Sequence, residues 1–584
     1  MEEIDRGAEG APERWAARPL LLAGLGLATG IVVHLILGKS QIYENSLGTV
    51  QAALVLGVTL GAALIGFTIE RRLWWAALLF GGVMGLFGYL IMLGNGAPGG
   101  WGAGEEWRLL SLVLALAIAA PLFQAARDED TLRPSYRGVH DHVWANIVLW
   151  FASWLFVAIV WVMAVLLSEL FHLIRIDFVR ELLGKDWFGR AMTGLAFGSA
   201  LGLLREHDVV VRTLQRVVAI VLAVLAPVLA VGLALFLIAL PFTGVQALWD
   251  ATSATTPLLL ACAAGALILT NVVIGREDAD ERRNPALRYA AMVLAAVILP
   301  LAVLAAVATG LRIGQYGYTP ERLWGVVFVG IALCWGAAYF VTLVLRRRGW
   351  ARQVRPANLV LACLVCLLGF VLATPLISFN AISTRDQVGR LESGKIAPDK
   401  FDWPALAFDF GKPGRDALTR LRGSSNAAVR AEAVKAASAK TRWDLARSDA
   451  RPDPADAVAR NARMLPAGAV FPQGLIDVLS TSYLCHAESP CTVLMLSANE
   501  AVVFGRHCFA ENNADAKPNT YPCLGGDRYV LSEGSWAEAQ DTGVLTPAER
   551  AAAAAAYKEG KIEVRTVPRR QVFLGGMPVG APFE

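Results

Sequence analysis

The chain has 584 residues, of which 55% are hydrophobic and only 17% charged. A soluble globular domain carries about a quarter charged residues, so a wholly soluble protein is excluded. The net charge is +4, and no Lys/Arg block forms a stripe suited to nucleic acid, which excludes that class of partner.

Residues 1–18 mix acidic and basic side chains and run straight into an apolar stretch. No short apolar region with a small-residue cleavage site precedes it, so they read as a cytoplasmic N-terminal segment before an uncleaved signal anchor. Eleven apolar stretches then follow: Pro19–Gly38, Leu47–Ile69, Leu73–Leu93, Leu109–Ala126, Val143–Leu170, Phe188–Leu204, Val217–Leu240, Pro257–Ile274, Tyr289–Thr309, Leu323–Leu345 and Asn358–Ile377. Each is close to the ~20 residues that a helix needs to cross a ~30 Å hydrocarbon core. Residues 19–377 are therefore expected to be a transmembrane helical domain. Pro121, Pro227 and Pro300 fall inside spans, which membrane helices tolerate.

The loops alternate in charge. One side carries Arg71 and Arg72; Arg127, Arg133 and Arg137; Arg205 and Arg212; Arg276, Arg282, Arg283 and Arg288; and Arg346, Arg347, Arg348, Arg352 and Arg355. The other side has Lys39 in its first loop, Arg108 at the edge of its second, no Lys or Arg in Pro241–Thr256, and Arg312 and Arg322 in its fifth. The positive-inside rule places the arginine-rich side in the cytoplasm. The N-terminus is then cytoplasmic and, after an odd number of spans, the C-terminal region is periplasmic. Glu169–Trp187 departs from this pattern with Arg175, Arg180 and Lys185. Its Ile174, Phe178 and Leu182 share one helical face, which predicts an amphipathic helix at the interface; if it spanned, the C-terminal region would lie inside.

The tail reads as three parts. Residues 378–446 form a juxtamembrane helical region, with helices at Ser383–Glu392, Arg415–Arg422 and Ala427–Ala439. Residues 447–466, rich in Pro and Asp, read as a linker. Residues 467–584 are long enough for a small α+β domain. There, Thr492–Leu496 and Ala501–Phe504 flank Asn499-Glu500 as a hairpin, and Ile562–Val567 and Gln571–Leu574 are further strands. Gly575-Gly576 marks a turn, and Thr546-Pro547-Ala548-Glu549 is a capping box opening a helix over Ala551–Ala556.

Four of the eight cysteines, Cys485, Cys491, Cys508 and Cys523, lie in this tail. An even set in a small loop-rich module suits disulfides in an oxidising compartment, in agreement with the charge pattern. Sequential pairing, Cys485–Cys491 and Cys508–Cys523, is favoured among three connectivities. The rival is a zinc site from Cys485-His486 and His507-Cys508, although adjacent ligands chelate awkwardly and the spacing fits no common pattern.

Within the spans, Gly194, Gly198 and Gly202, with Gly57/Gly61 and Gly81/Gly85, have the spacing of close helix packing inside one bundle. Cys363 and Cys366 form a CxxC pair in an apolar span, where thiolate is disfavoured, so they read as packing residues. His34 sits near the outer end of the first span with an interfacial or packing role. His140-Asp141-His142 could bind metal or relay protons but reads as an exposed loop cluster, and Asn146 and Asn271 suit interhelical hydrogen bonds. No Asp or Glu lies mid-span, unlike most ion-coupled carriers, and no phosphate-binding loop, HExxH or nucleophile constellation is present.

The loop Gly310–Glu321 supplies Arg312, Tyr316 and, just beyond it, Arg322 as a candidate contact surface. Thr319 is expected to cap the following helix with Pro320 at its first position. Asp386, Glu392, Asp399 and Asp402 follow the last span, and their carboxylates could pair with these arginines.

The run Arg312-Ile313-Gly314-Gln315-Tyr316-Gly317-Tyr318-Thr319-Pro320-Glu321-Arg322-Leu323-Trp324 resembles a family signature. So do Ala381–Val388, Leu391–Lys395, Asp399–Asp402, Phe408–Gly411, Gly414–Leu418 and the loop Pro241–Gly244. Together they are similar to the bacterial membrane family "domain of unknown function number 4153". The resemblance implies an inner-membrane protein and brings no established activity and no catalytic residue; it extends through the juxtamembrane helices, with the region from about Leu465 less firmly covered. The expectation is thus a polytopic α-helical bundle with a soluble C-terminal α+β region. It requires no cofactor or metal, its partners are the lipid bilayer and an envelope component, and its oligomeric state is open. Its role is to anchor that region, with transport of a neutral or lipidic solute as the alternative.

Overall fold

The structure is a computed structural model. It describes residues 15–38, 47–244, 255–346, 349–439, 441–442, 445, 454–466, 468–480, 485, 490–505, 527–532, 534–539, 570–574 and 577–583. Residues 1–14, Lys39, Arg347, Arg348 and most of the Pro241–Thr256 loop lie outside this set. The chain divides into two compact units, Met1–Arg442 and Trp443–Glu584.

The first unit begins with α1 (Arg18–Leu37), α2 (Thr49–Thr68), α3 (Trp74–Asn95), α4 (Ala103–Asp128), α5 (Tyr136–Leu173), α6 (Phe178–Leu183), α7 (Asp186–Glu206) and α8 (Asp208–Thr243). It continues with α9 (Thr255–Ile274), α10 (Pro285–Tyr316), α11 (Pro320–Leu345) and α12 (Trp350–Ala373). Among the described residues ten of these helices, all but α6 and α7, are long and apolar enough to cross a membrane. Several start on side-chain caps that accept an orphan backbone N–H: Ser135, Asn284 and Thr319. The core lies where α8 to α12 meet, with Leu294, Ile298, Leu301 and Tyr339 fully buried.

The expected sixth span is α7, which is less apolar because its ends carry Asp186, Arg190, Arg205 and Glu206. It runs antiparallel to α1 over the full length. Arg18 Nη1 donates to the Arg205 carbonyl at 2.9 Å at one end, and Arg190 Nη1 lies 2.9 Å from His34 Nδ1 at the other. Only glycine permits this approach: a Cβ on Gly198 would lie 2.1 Å from the Leu22 carbonyl oxygen, and one on Gly194 2.1 Å from that of Gly26. The Gly57/Gly61 and Gly81/Gly85 pairs hold α2 against α3 in the same way. The glycine stripes therefore pack helices within one bundle.

The stretch Glu169–Trp187 differs from the single interfacial helix expected. α5 continues through Leu173 and is closed by Ile174, so Ile174 does not join Phe178 and Leu182 on the short α6. The break falls at Arg175, whose φ is 62°. α5 and α7 are antiparallel neighbours, linked by Trp161 Nε1–H to Thr193 Oγ1 at 3.0 Å, and the short helix α6 lies in the connection between them.

The arginine-rich loops form one connected face. Arg205 donates to the Gly66 carbonyl at 2.6 Å and pairs with Glu70, which also pairs with Arg18. Arg127 donates to the Thr68 carbonyl. Arg276 pairs with Asp141, Arg137 with Glu277, and Arg355 with Asp278 and the Ile274 carbonyl. These arginines satisfy carbonyls that the ends of α2 and α9 leave without helical partners, where cations are favoured.

At the opposite face the chain continues as α13 (Phe379–Glu392), a one-turn π-helix (Ala405–Asp409), α14 (Gly411–Leu421) and α15 (Ala427–Ser438). The three expected juxtamembrane helices are thus present, with α13 and α14 starting four residues earlier. Arg442 pairs with Asp409, whose carboxylate raises the guanidinium pKa above its ordinary value.

The second unit contains α16 (Pro454–Asn461), β1 (Ala462–Leu465), α17 (Gln473–Ser480), β2 (Cys491–Ser497), β3 (Glu500–Gly505), β4 (Asp527–Ser532) and β5 (Ser535–Ala539). The strands form one sheet in the order β1-β2-β3-β4-β5, with β1 parallel to β2 and the others antiparallel. The expected hairpin is β2–β3. Residues 454–465, inside the stretch read as a linker, instead supply a helix and the edge strand. Val458 is fully buried with Leu475, Leu479, Val493 and Val503, so apolar burial outweighs the Pro and Asp content there. A further pair, β6 (Arg570–Leu574) and β7 (Met577–Phe583), is antiparallel. Ile562–Val567, Thr546–Glu549, Ala551–Ala556 and Gly575-Gly576 lie outside the described residues.

Candidate functional site

The strongest concentration of polar contacts at the face opposite the arginine-rich loops surrounds the α10–α11 connection. Gly317 ends α10 with φ 78° and ψ −174°, a backbone region essentially reserved for glycine. A Cβ there would also lie 2.5 Å from Asp386 Oδ2. Thr319 then caps α11, accepting from the Arg322 N–H at 3.4 Å, with Pro320 at the first helical position, as its sequence predicts.

Helix α13 docks on this loop through the loop's backbone. The Tyr318 N–H donates to Asp386 Oδ2 at 2.8 Å. Gln387 Nε2 donates to the carbonyls of Tyr316 (2.8 Å) and Tyr318 (2.9 Å), and Arg390 donates to that of Gln315 at 2.9 Å. A second anchor joins Asn380 Nδ2 to Glu105 Oε1 at 3.1 Å. Glu105 also accepts from the Gly102 N–H at the start of α4.

The expected ion pairs are replaced by other partners. Arg322 Nη1 donates to the Gly317 carbonyl at 2.9 Å, and its guanidinium lies over the Tyr316 ring, 5.3 Å from the centroid. Asp386 takes a backbone N–H, Glu392 faces Arg420 at 3.7 Å, and Asp402 accepts from the Ala405 N–H. Asp386, Glu392 and Asp402 thus have partners other than Arg312 and Arg322. Arg312 has no hydrogen bond or ion pair among the described residues.

Arg312 and Arg322, with Glu321, instead line the mouth of a chamber of about 690 Å³ between α4, α9, α10 and α11. Its walls are apolar, and Trp335 stands at the deep end. Trp335 Nε1–H donates to Asn358 Oδ1 at 3.1 Å, and Asn358 bonds Asn271 (2.7 Å) and Tyr339 (3.0 Å). Near the mouth, Trp324 stacks on Trp107 with centroids 5.3 Å apart. Trp324 is 4% exposed, and its indole N–H has no acceptor among the described residues. The sequence pointed to the two arginines but not to the chamber, because its lining joins the consecutive helices α9, α10 and α11 to the distant α4. The only signal was a set of three Trp residues, Trp324 and Trp335 in one span and Trp107 beside another.

The other singled-out residues have separate roles. Asn271 is interhelical as expected, and Asn146 Nδ2 donates to Gln124 at 2.7 Å. His142 pairs with Asp128 and Asp141 with Arg276, so the His140-Asp141-His142 run is split between partners. Cys363 and Cys366 are free thiols. Cys485 and Cys491 form a disulfide with Cα atoms 4.7 Å apart, both residues being buried. Cys508, Cys523, His486 and His507 lie outside the described residues.

Comparison with curated proteins and with solved structures finds no match. A family model does match residues 27–411, from α1 through the loop-docked α13 to the start of α14. The chain therefore belongs to the family described as Domain of unknown function (DUF4153).

Proposed function

We propose that this protein is a non-enzymatic anchor of the bacterial inner membrane, with eleven crossings, a cytoplasmic N-terminus and a periplasmic C-terminal region. The observation that carries the reading is the backbone docking of α13 on the α10–α11 loop and on Glu105. It fixes the chain to one face of the bundle directly after the last crossing, ahead of α14, α15 and the second unit. A chain that merely trailed from a transporter would need no such clamp. The crossing count includes α7 because its two ends reach the levels of Arg18 and His34. The orientation is supported by the arginine-rich face and by the Cys485–Cys491 disulfide, a bond that persists in oxidising compartments. The second unit would then bind an envelope component.

The test is a strain lacking the protein, complemented either with the whole chain or with residues 1–442. Only the whole chain is expected to restore the wild-type state; full rescue by residues 1–442 would reject anchoring. A second reading, passage of a neutral or lipidic solute, is favoured by the chamber among α4, α9, α10 and α11, and such rescue would support it.

A further inference from the structure

We infer that the chamber holds one acyl chain of a membrane phospholipid, with the lipid phosphate at Arg312 and Arg322. The inference is independent of the anchoring role. Leu260, Leu267, Ile298, Phe328, Ile331 and Trp335 make the interior apolar, and the volume of about 690 Å³ falls in the range of small-molecule sites. The chamber is long. Arg322 at its mouth and Trp335 at its deep end are thirteen residues apart on α11, about 20 Å of helix. One leaflet of the hydrocarbon core is about 15 Å, so the chamber has the depth of an extended chain.

The mouth has the opposite chemistry. Arg312 and Arg322 line it together, with Glu321 as the one carboxylate. Arg322 spends one N–H on the Gly317 carbonyl, and Arg312 is without an anion among the described residues. Guanidinium forks match phosphate oxygens and form charge-assisted hydrogen bonds with them. Ala261 and Ala264, which line the chamber on the α9 side, are exposed and carry small side chains, so the α9 wall leaves room for a lipid tail.

The full chain, delipidated in detergent, is titrated in native mass spectrometry with three probes: phosphatidylglycerol, diacylglycerol of the same acyl chains, and glycerol 3-phosphate. We expect one phosphatidylglycerol per chain, diacylglycerol about tenfold weaker, as loss of one charge-assisted bond implies, and no competition from glycerol 3-phosphate. The double variant Arg312→Gln/Arg322→Gln should bind phosphatidylglycerol no better than diacylglycerol. Gly325→Leu, where a Cβ meets nothing nearer than Thr309 Cγ2 at 3.8 Å, should fill the mouth and remove both lipids with the lipid-free melting temperature retained. Equal affinity of the wild type for the two lipids would overturn the phosphate assignment. Competition by glycerol 3-phosphate, or undiminished lipid binding by a folded Gly325→Leu variant, would overturn the acyl-chain chamber.

Discussion

At the scale of single residues, two positions carry sharp expectations. Gly317→Ala places a Cβ in a backbone region that costs about 1–3 kcal/mol and drives it against Asp386 Oδ2. The variant should insert normally, yet α13 should lift from the loop and trypsin cleavage near Lys395 and Lys400 should accelerate. Unchanged cleavage would show that α13 is held elsewhere. Tyr529 is 3% exposed in β4. Burial, then the carboxylates of Glu538 and Asp527, push its phenol above the ordinary value of 10. A raised pKa means the fold favours the protonated form, so this contribution is full below pH 10 and is lost as pH climbs above it. Near-ultraviolet dichroism of the protein should lose tail signal above pH 10, and Tyr529→Phe should shift that loss upward. These residues also show how legibility varies. The Thr319-Pro320 cap was readable because it is local chemistry. The partners of Asp386 were not, since the choice between an arginine and a backbone N–H depends on distances set by three separate helices.

At the scale of elements, the α1–α7 pair rests on glycine. Gly198→Val would put side-chain carbon within 2.1 Å of the Leu22 carbonyl, beyond what rotamer changes absorb, and overpacking costs about 1–3 kcal/mol. The expected result is a lower melting temperature in detergent by several degrees, with Gly310→Ala, whose Cβ meets nothing within 4 Å, as the neutral control. Equal melting of the two variants would reject the close contact. Spacing of four revealed the stripes but not their pairing, because a stripe states only that something approaches. The edges of the helices were less legible than their centres. Apolar runs end at the hydrocarbon boundary, whereas backbone hydrogen bonding continues until a glycine such as Gly317 or Gly244 interrupts it.

At the scale of the whole molecule, the membrane class was plain because an apolar run of ~20 residues matches the thickness of a hydrocarbon core, and a soluble core seldom requires that length. The second unit was harder. Residues 454–465 look like a linker by composition, but Val458 and the pairing of Ala462–Leu465 with β2 bring them into the sheet. Parallel pairing between distant segments leaves no local signature. For orientation, alkaline phosphatase and a cytoplasm-active fluorescent protein, fused separately at Glu584, should give phosphatase activity without fluorescence. The reverse pattern would place the tail in the cytoplasm. Peptide mapping without reductant should recover Cys485 linked to Cys491, and free thiols at both positions would contradict the oxidising location.

The contact between Arg18 and Arg205 spans 187 residues of sequence. Synthesis at about 5–20 residues per second separates the emergence of its two ends by about 10–40 s. Throughout that interval the first helix sits in the bilayer with its glycine groove uncovered and Arg18 without the Arg205 carbonyl. Biogenesis therefore includes a waiting period in which an early helix lacks its mate, and nascent chains arrested before Glu206 should be degraded faster by membrane proteases than chains arrested just after it has entered the membrane.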